Sequence, residues 1–325
     1  MRNPLVDYPT AAERLKEVTD TLEQGIKDLF ESGRYAEYLK IMSKFHRYSY
    51  NNALLIALQY PGASRIAGFQ AWKKDFGRTV KRGEKGIRIL APCPYQTMVE
   101  REKIDPTTRR PVLDENGRPV KENVMVKRQS FKVATVFDVS QTEGKELPSL
   151  CVNELTGSVE HYNTLIPAVE AVSPVPVYFN FPFPSAAKGC FSHIEQCVYV
   201  RPGMSEVQTL KTLIHEVSHA KCHALPVENG IVTGLPEKDR HTREVEAESI
   251  AYVVCHHFGV DTSDYSFGYI AGWSKNRELE ELKSSLEFIR ETAAELIDGI
   301  ERQCPELYPV LPRQEQAKKH TSQQR

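Results

Sequence analysis

Residues His215-Glu216-Val217-Ser218-His219 have the spacing of a zinc-binding helix. Residues four apart lie on one face of a helix, so His215 and His219 can present two imidazole nitrogens to one metal ion. Glu216 then lies beside the metal, where its carboxylate can accept a proton from a water that zinc has activated. The pattern predicts a helix that carries two zinc ligands and a catalytic general base.

The residues before this stretch favour a helix. Ser205 and Gln208 form an S-x-x-Q capping box, which is typical of a helix start. Apolar residues at helical spacing follow them, namely Leu210, Leu213, Ile214 and Val217. The alternative is an ordinary amphipathic helix with solvated histidines, and a third ligand is needed to decide between the two.

A second helix, predicted over residues 242–259, offers that ligand. Its buried stripe consists of Ala247, Ala251, Val254, Cys255 and Phe258. Glu244 and Glu248 fall within or beside this stripe, and a buried carboxylate needs a partner because unpaired buried charge is costly. We predict that Glu244 is the third metal ligand and that Glu248 supports a ligand histidine, although the two could be exchanged. Glu246 is expected on the opposite side of the helix.

Composition indicates a soluble protein with two domains. The 325 residues are 40% hydrophobic and 26% charged, which is ordinary for globular proteins. The first residues lack the apolar run of a signal peptide, and no segment has the length of a membrane span. Seven cysteines without a C-x-x-C pair suit reduced thiols. We therefore expect a cytoplasmic protein with no membrane partner.

Periodicity and turn signals predict an α+β architecture. Helices are predicted over residues 11–30, 34–60, 68–76, 159–172 and 279–300, and strands over 87–91, 130–139, 175–180 and 197–200. Residues 100–122 are polar with turn signals, so a long excursion is expected there. A linker composition at 141–149 divides the chain into domains at 1–145 and 146–302, and a disordered tail is predicted at 303–325.

The net charge of −1 hides a strongly basic segment. Residues 65–132 contain 17 Lys or Arg against 8 Asp or Glu, a balance of +9. A charge run of this kind is often only a solvated face, but it also attracts the phosphate backbone of nucleic acids.

Several stretches resemble the ArdC antirestriction family. In the N-terminal part these are residues 48–59 (YSYNNALLIALQ), 68–72 (GFQAW) and 77–92 (GRTVKRGEKGIRILAP). The HExxH helix, the E-x-x-x-E helix and residues 269–273 (YIAGW) resemble the family's C-terminal domain, which is also similar to ImmA/IrrE-type metallopeptidases. The resemblance implies a single-stranded-DNA-binding domain joined to a zincin-like zinc metallopeptidase domain. It also implies a mobile element whose protein protects incoming DNA from host restriction.

The residue types in the N-terminal part agree with the DNA binding that the resemblance implies. Single strands are held by cations along the backbone and by aromatic rings that stack on bases. The residues that suit these roles are Tyr48, Tyr50, Asn51, Asn52, Trp72, Lys73, Arg78, Lys81 and Lys85. The alternative is that Trp72 is a core residue and that the lysines form an ordinary solvated face.

The sequence therefore predicts an antirestriction-type protein that binds single-stranded DNA and carries a zinc metalloendopeptidase domain. Its cofactor would be Zn²⁺, and its partners single-stranded DNA and an unidentified protein substrate. Two other interpretations stay open. One is a regulatory protease of ImmA type that cleaves a repressor, and the other is a DNA-coating protein whose zinc is purely structural.

Overall fold

The computed structural model describes residues 10–31, 34–106, 109–147, 159, 161–180, 187–262, 277–305 and 307, without the side chains of residues 27, 30 and 31. Contacts divide the chain into two compact units. The first unit comprises Met1–Glu23 and Ile66–Lys145, and the second comprises Gln24–Arg65 and Glu146–Arg325. The predicted mixed α+β class is confirmed in the described residues.

The helices are α1 (Ala11–Glu31), α2 (Tyr35–Lys44), α3 (Tyr50–Gln59), α4 (Phe69–Asp75), α5 (Tyr162–Val172), α6 (Glu206–Cys222), α7 (Arg240–His257) and α8 (Leu279–Gln303). The strands are β1 (Ile66–Gly68), β2 (Arg78–Val80), β3 (Ile87–Pro92), β4 (Tyr95–Glu102), β5 (Lys121–Arg128), β6 (Phe131–Asp138), β7 (Thr142–Gly144), β8 (Val177–Tyr178), β9 (Gly189–Ser192), β10 (Cys197–Val200), β11 (Val227–Glu228) and β12 (Ile231–Val232).

An antiparallel sheet in the order β1-β6-β3 forms the core of the first unit. β6 lies in the middle, where Ile87 of β3 is opposite Val136. Trp72 of α4 is fully buried, and its indole Nε1 donates a hydrogen bond of 2.8 Å to the carbonyl oxygen of Phe137. A buried ring of this size removes roughly 150–250 Å² of surface from water, so Trp72 is a main component of this small core.

The polar residues 100–122, predicted as an excursion, begin and end within a paired β-ribbon. β4 and β5 are antiparallel over their full eight-residue length. Beyond them the chain turns at Asp114, whose carboxylate accepts a hydrogen bond of 2.9 Å from the backbone N–H of Asn116. The ribbon is largely exposed on one face. The apolar alternation of a half-buried strand is therefore weak in its sequence.

The helix predicted over residues 34–60 is two helices, α2 and α3. Ser49 begins α3, because its hydroxyl accepts a hydrogen bond of 3.4 Å from the backbone N–H of Asn52. A serine in this position satisfies a backbone donor that the first helical turn leaves without a partner.

The contact-defined units differ from the continuous domains expected from the sequence, because residues 24–65 belong to the second unit. The Tyr35 hydroxyl oxygen lies 3.1 Å from Ser249 Oγ of α7. Farther along α2, Ser43 Oγ lies 2.9 Å from Nδ1 of His256, which is also in α7. These contacts attach α2 to α7 of the second unit.

A sheet in the order β8-β10-β9 lies beside the helices of the second unit. β10 pairs in parallel with β8 and antiparallel with β9. α6 contacts β9, β10 and α7, while α7 also contacts α2 and α8. The helix predicted near residues 279–300 is confirmed as α8, and it buries Leu282, Leu286, Ile289, Ala293, Leu296 and Ile300. Among the described ranges, no helix combines the length and apolar character that crossing a membrane requires.

Candidate metal centre

α6 brings two histidines to one point. Its N-cap Ser205 accepts a hydrogen bond of 3.3 Å from the backbone N–H of Gln208, as the capping-box pattern predicts. One turn separates His215 from His219, so both rings leave the same face of the helix. Their Nε2 atoms lie 3.1 Å apart. The two nitrogens therefore point into one shared space.

α7 brings Glu244 to the same space. Its Oε2 lies 3.6 Å from Nε2 of His215 and 3.6 Å from Nε2 of His219. The three donor atoms all fall within 4.8 Å of one another. The two neighbouring imidazoles hold the pKa of Glu244 well below its usual value. Two imidazole nitrogens and a carboxylate form a donor set found in catalytic zinc sites, so these residues suit a divalent metal ion.

Glu248 lies on the other side of the His215 ring. Its Oε2 is 3.2 Å from His215 Nδ1, and its Oε1 is 2.5 Å from Nζ of Lys211. Burial alone would raise the pKa of Glu248, but the contacts from His215 and Lys211 outweigh it and hold that pKa below its usual value. Glu248 is thus placed to fix the His215 ring, while Glu244 faces the metal space.

The carboxylates of Glu244 and Glu248 also change the pKa of His215. Burial alone would lower the pKa of His215, but the neighbouring carboxylates of Glu244 and Glu248 raise it to about 9. A metal ion that binds His215 would compete with a proton for the ring nitrogen.

Glu216 occupies a niche between α6 and β9. Only 9% of the residue is exposed, and burial raises the pKa of its carboxyl group, partly offset by the two ligand imidazoles and by a hydrogen bond from the Phe191 backbone N–H. Gly189 makes the niche possible, because a Cβ there would lie 2.8 Å from Glu216 Cγ. Periodicity carries no signal for Gly189 or Phe191, since they come from a short strand distant along the chain.

Glu246 lies outside the donor set, as the helical spacing predicts. It is nevertheless fully buried, which the spacing does not predict. Its Oε1 accepts hydrogen bonds of 2.7 Å from Lys238 Nζ and 2.7 Å from Ser285 Oγ, and its Oε2 lies 3.3 Å from His223 Nε2. Burial alone would raise the pKa of Glu246, but these contacts keep it below its usual value. The helical stripe could not reveal this because α7 is covered on more than one side.

The residues predicted to bind DNA are distributed over both units. Lys73, Lys81 and Lys85 are exposed on the first unit. Tyr48, Tyr50, Asn51 and Asn52 belong to the second unit, where Asn52 is buried and the other three are half-buried.

Two of the predicted DNA contacts have structural roles instead. The prediction that Trp72 stacks on a base is wrong in this conformation, because the ring is fully buried beneath the sheet. Arg78 is half-buried and donates to Thr142 Oγ1 at 2.7 Å and to the Thr142 carbonyl oxygen at 2.9 Å. Its guanidinium therefore ties β2 to β7. The motif at 269–273 and most of the predicted tail lie outside the described residues.

A family model for the N-terminal domain of the anti-restriction factor ArdC matches residues 10–137. An uncharacterized protein of Bacillus anthracis, pXO2-81, is 29% identical over 91% of this chain and 52% of its own length. The DNA primase TraC of Escherichia coli is 43% identical over 82 residues, which are 25% of this chain and 7% of the primase. The chain thus spans about half the length of the first relative and a small part of the second.

A structure search gives the metal-free crystal structure of the antirestriction protein ArdC from plasmid R388, with 18% identity, a TM-score of 0.41, and coverage of 81% of this chain and 86% of that one. A Mn(II)-bound structure of the same protein gives 16% identity and the same TM-score, covering 78% and 83%. Residues 10–137 are therefore similar to the N-terminal domain of the anti-restriction factor ArdC.

Proposed function

We propose that this protein is an antirestriction-type factor of a mobile element, which binds single-stranded DNA and hydrolyses peptide bonds at a zinc centre. The observation that carries the peptidase part is the convergence of His215, His219 and Glu244 beside the buried carboxylate of Glu216. A metal that served only as a structural staple would not need a nearby carboxylate in a niche that glycine keeps open.

The three donors would hold the metal, which when bound supplies a water of lowered pKa and polarises a carbonyl group. Glu216 accepts the proton from the attacking water and later delivers it to the leaving amine. Its raised pKa suits this exchange, because a proton shuttle works best with a pKa near the operating pH. The hydrogen bond from Phe191 and the space at Gly189 keep the carboxylate in place.

The strand β9 supports a peptide as the substrate. It lies at one edge of the sheet β8-β10-β9, and a Cβ added at its Gly189 would fall 3.0 Å from Glu216 Oε1. This edge of β9 therefore faces the candidate site. An extended peptide can pair with such an edge through main-chain hydrogen bonds, which would place its carbonyl groups near Glu216.

Exposed charge on the first unit supports the DNA-binding part. Lys73, Lys81 and Lys85 are exposed, and Phe69 on α4 is 49% exposed beside them in sequence. An accessible aromatic ring among cations suits the stacking and backbone contacts of single strands. Phe69 takes the stacking role that burial excludes for Trp72.

Two assays on the full chain test the proposal. Zinc content by elemental analysis should give one ion per chain, and proteolysis should be measured with and without single-stranded DNA. Glu216→Gln should keep the zinc and lose the cleavage. A variant that cleaves as fast as the wild type would contradict the catalytic role, and DNA binding that persists without any cleavage would favour a coating protein.

A further inference from the structure

The second ligand histidine is the first member of a buried chain of hydrogen bonds. His219 turns its Nε2 toward the metal space, and its Nδ1 lies 3.0 Å from Nδ1 of His223. The opposite nitrogen of His223 lies 3.3 Å from Glu246 Oε2. Glu246 is held in turn by Lys238 and Ser285. This series of hydrogen bonds therefore extends from the metal space to the connection before α7 and to α8.

The donors and acceptors in this series of hydrogen bonds allow the bonds to run in only one direction. A metal takes the lone pair of His219 Nε2, so the ring keeps its proton on Nδ1. His223 must then accept at its own Nδ1 and carry its proton on Nε2. That proton points at Glu246, whose carboxylate only accepts hydrogen bonds. Every donor in this series of hydrogen bonds then has an acceptor when a metal is bound.

From this geometry we propose that His223 and Glu246 are positioning residues that hold the His219 ring in its metal-binding orientation and tautomer. The inference rests on the proposed metal site. It assigns to His219 a relayed version of the support that Glu248 gives directly to His215. Ligand histidines generally need such a partner, whose loss costs roughly 10–100-fold in metal affinity.

The burial of the carboxylate favours a positioning role. Glu246 is fully buried and His223 is 7% exposed. Replacing a buried ion pair with apolar residues is often neutral or stabilising, so stability alone does not require these groups. The need to orient a ligand explains why they are polar.

Zinc affinity of the full chain, measured by competition with a chromophoric chelator, tests the proposal. His223→Leu removes the acceptor for His219 and should weaken zinc binding about 10–100-fold. His223→Asn places an amide oxygen close to the former Nδ1 and should recover most of that loss. Glu246→Gln should weaken binding less than His223→Leu, because Gln can still accept one hydrogen bond.

A matched control comes from another His–Glu pair, which joins α7 to α8 and is half-buried. His257 Nε2 lies 3.0 Å from Glu301 Oε1, with side chains 14% and 18% exposed. His257→Leu should lower the melting temperature of the metal-free protein without changing zinc affinity. The melting temperature of each metal-free variant shows that loss of zinc is not loss of fold.

Three results would overturn the proposal. The first is His223→Leu with wild-type zinc affinity, and the second is equal loss in the Leu and Asn variants. The third is a reduction in affinity as large in His257→Leu as in His223→Leu. A wild-type protein that takes up no stoichiometric zinc would instead overturn the metal centre itself, and this inference with it.

Discussion

The interior carboxylates of the second unit and the exposed basic segment of the first unit differ in how much their positions reveal. In the second unit, carboxylates lie in the interior, and Glu216, Glu246 and Glu248 are each at most 9% exposed. Each has a named contact that explains its position. In the first unit, the lysines of the basic segment face solvent, and their arrangement implies no particular partner. The proposed metal centre therefore rests on geometry, whereas the proposed DNA-binding surface rests only on charge.

The difference follows from the cost of burial. An ionised group away from water is retained only when hydrogen bonds or opposite charges compensate for lost hydration. Few functions explain why buried carboxylates surround two histidines, and metal binding is one of them. An exposed lysine costs little wherever it lies, so its position carries less information about function.

The largest effect is expected from removing two ligands. The double variant His215→Ala, His219→Ala should lose stoichiometric zinc, because a single carboxylate does not hold the ion. Elemental analysis after purification without added metal checks this. The double variant with a full complement of zinc would place the metal elsewhere and remove the main contrast between the units.

The next largest effect is expected on the rate of cleavage, without loss of the metal. Glu216→Gln keeps the shape of the side chain but cannot accept the proton, so cleavage of a confirmed substrate should fall about 10²–10⁴-fold with zinc retained. Initial rates at saturating substrate measure it. Equal rates for variant and wild type would show that Glu216 is not the general base.

In the first unit, the largest effect should be on folding. Trp72→Ala removes a fully buried ring with a hydrogen-bonded indole, and should destabilise the unit by about 3–5 kcal/mol. Phe69→Ala, at an exposed ring of the same helix, should change stability by only about 0.5 kcal/mol and weaken DNA binding instead. Urea unfolding and a DNA titration on both variants separate these roles, and a Trp72→Ala protein of normal stability with weak DNA binding would restore the stacking interpretation.

A smaller effect should follow from filling the niche. Gly189→Ala would place a methyl group 2.8 Å from Glu216 Cγ, which displaces the carboxylate without touching the metal donors. We expect cleavage to fall about 10–100-fold, as misplacement of a catalytic group by about 1 Å does, with zinc affinity unchanged. Loss of zinc in this variant would show that β9 supports the ligands as well as Glu216.

The smallest effect is expected at a single surface lysine. Lys85→Ala should reduce the slope of log affinity against log salt for single-stranded DNA by about one unit if the side chain contacts one phosphate. Lys16→Ala is the control, because Lys16 is already paired with Asp20 at 2.6 Å. Identical slopes for Lys85→Ala and the wild type would make this lysine an ordinary solvated residue.

The sequence predicted those parts of the site that depend on helical spacing. Two histidines one turn apart, and carboxylates on the next helix at Glu244 and Glu248, follow from a period of 3.6 residues. It could not predict Gly189 or Phe191, because contacts between distant segments have no periodic signal. It also could not predict the burial of Glu246, since periodicity identifies one buried face and α7 is covered on several.

The same limit applies to the first unit. Trp72 was assigned to DNA because aromatic residues among lysines look alike whether they stack on bases or pack beneath a sheet. The ribbon of β4 and β5 was missed because exposed strands lack apolar alternation. The break between α2 and α3 was also missed, although Ser49 is a helix-start signal that could have revealed it.

X-ray absorption spectroscopy at the zinc edge of the loaded protein shows whether His215, His219 and Glu244 form one metal centre. We expect nitrogen and oxygen neighbours at about 2.0–2.2 Å, including two imidazoles, and no sulfur neighbour at about 2.3 Å. In His219→Ala loaded with zinc, one imidazole should disappear from the signal. A spectrum with cysteine sulfur, or an unchanged imidazole count in that variant, would rule out this metal centre.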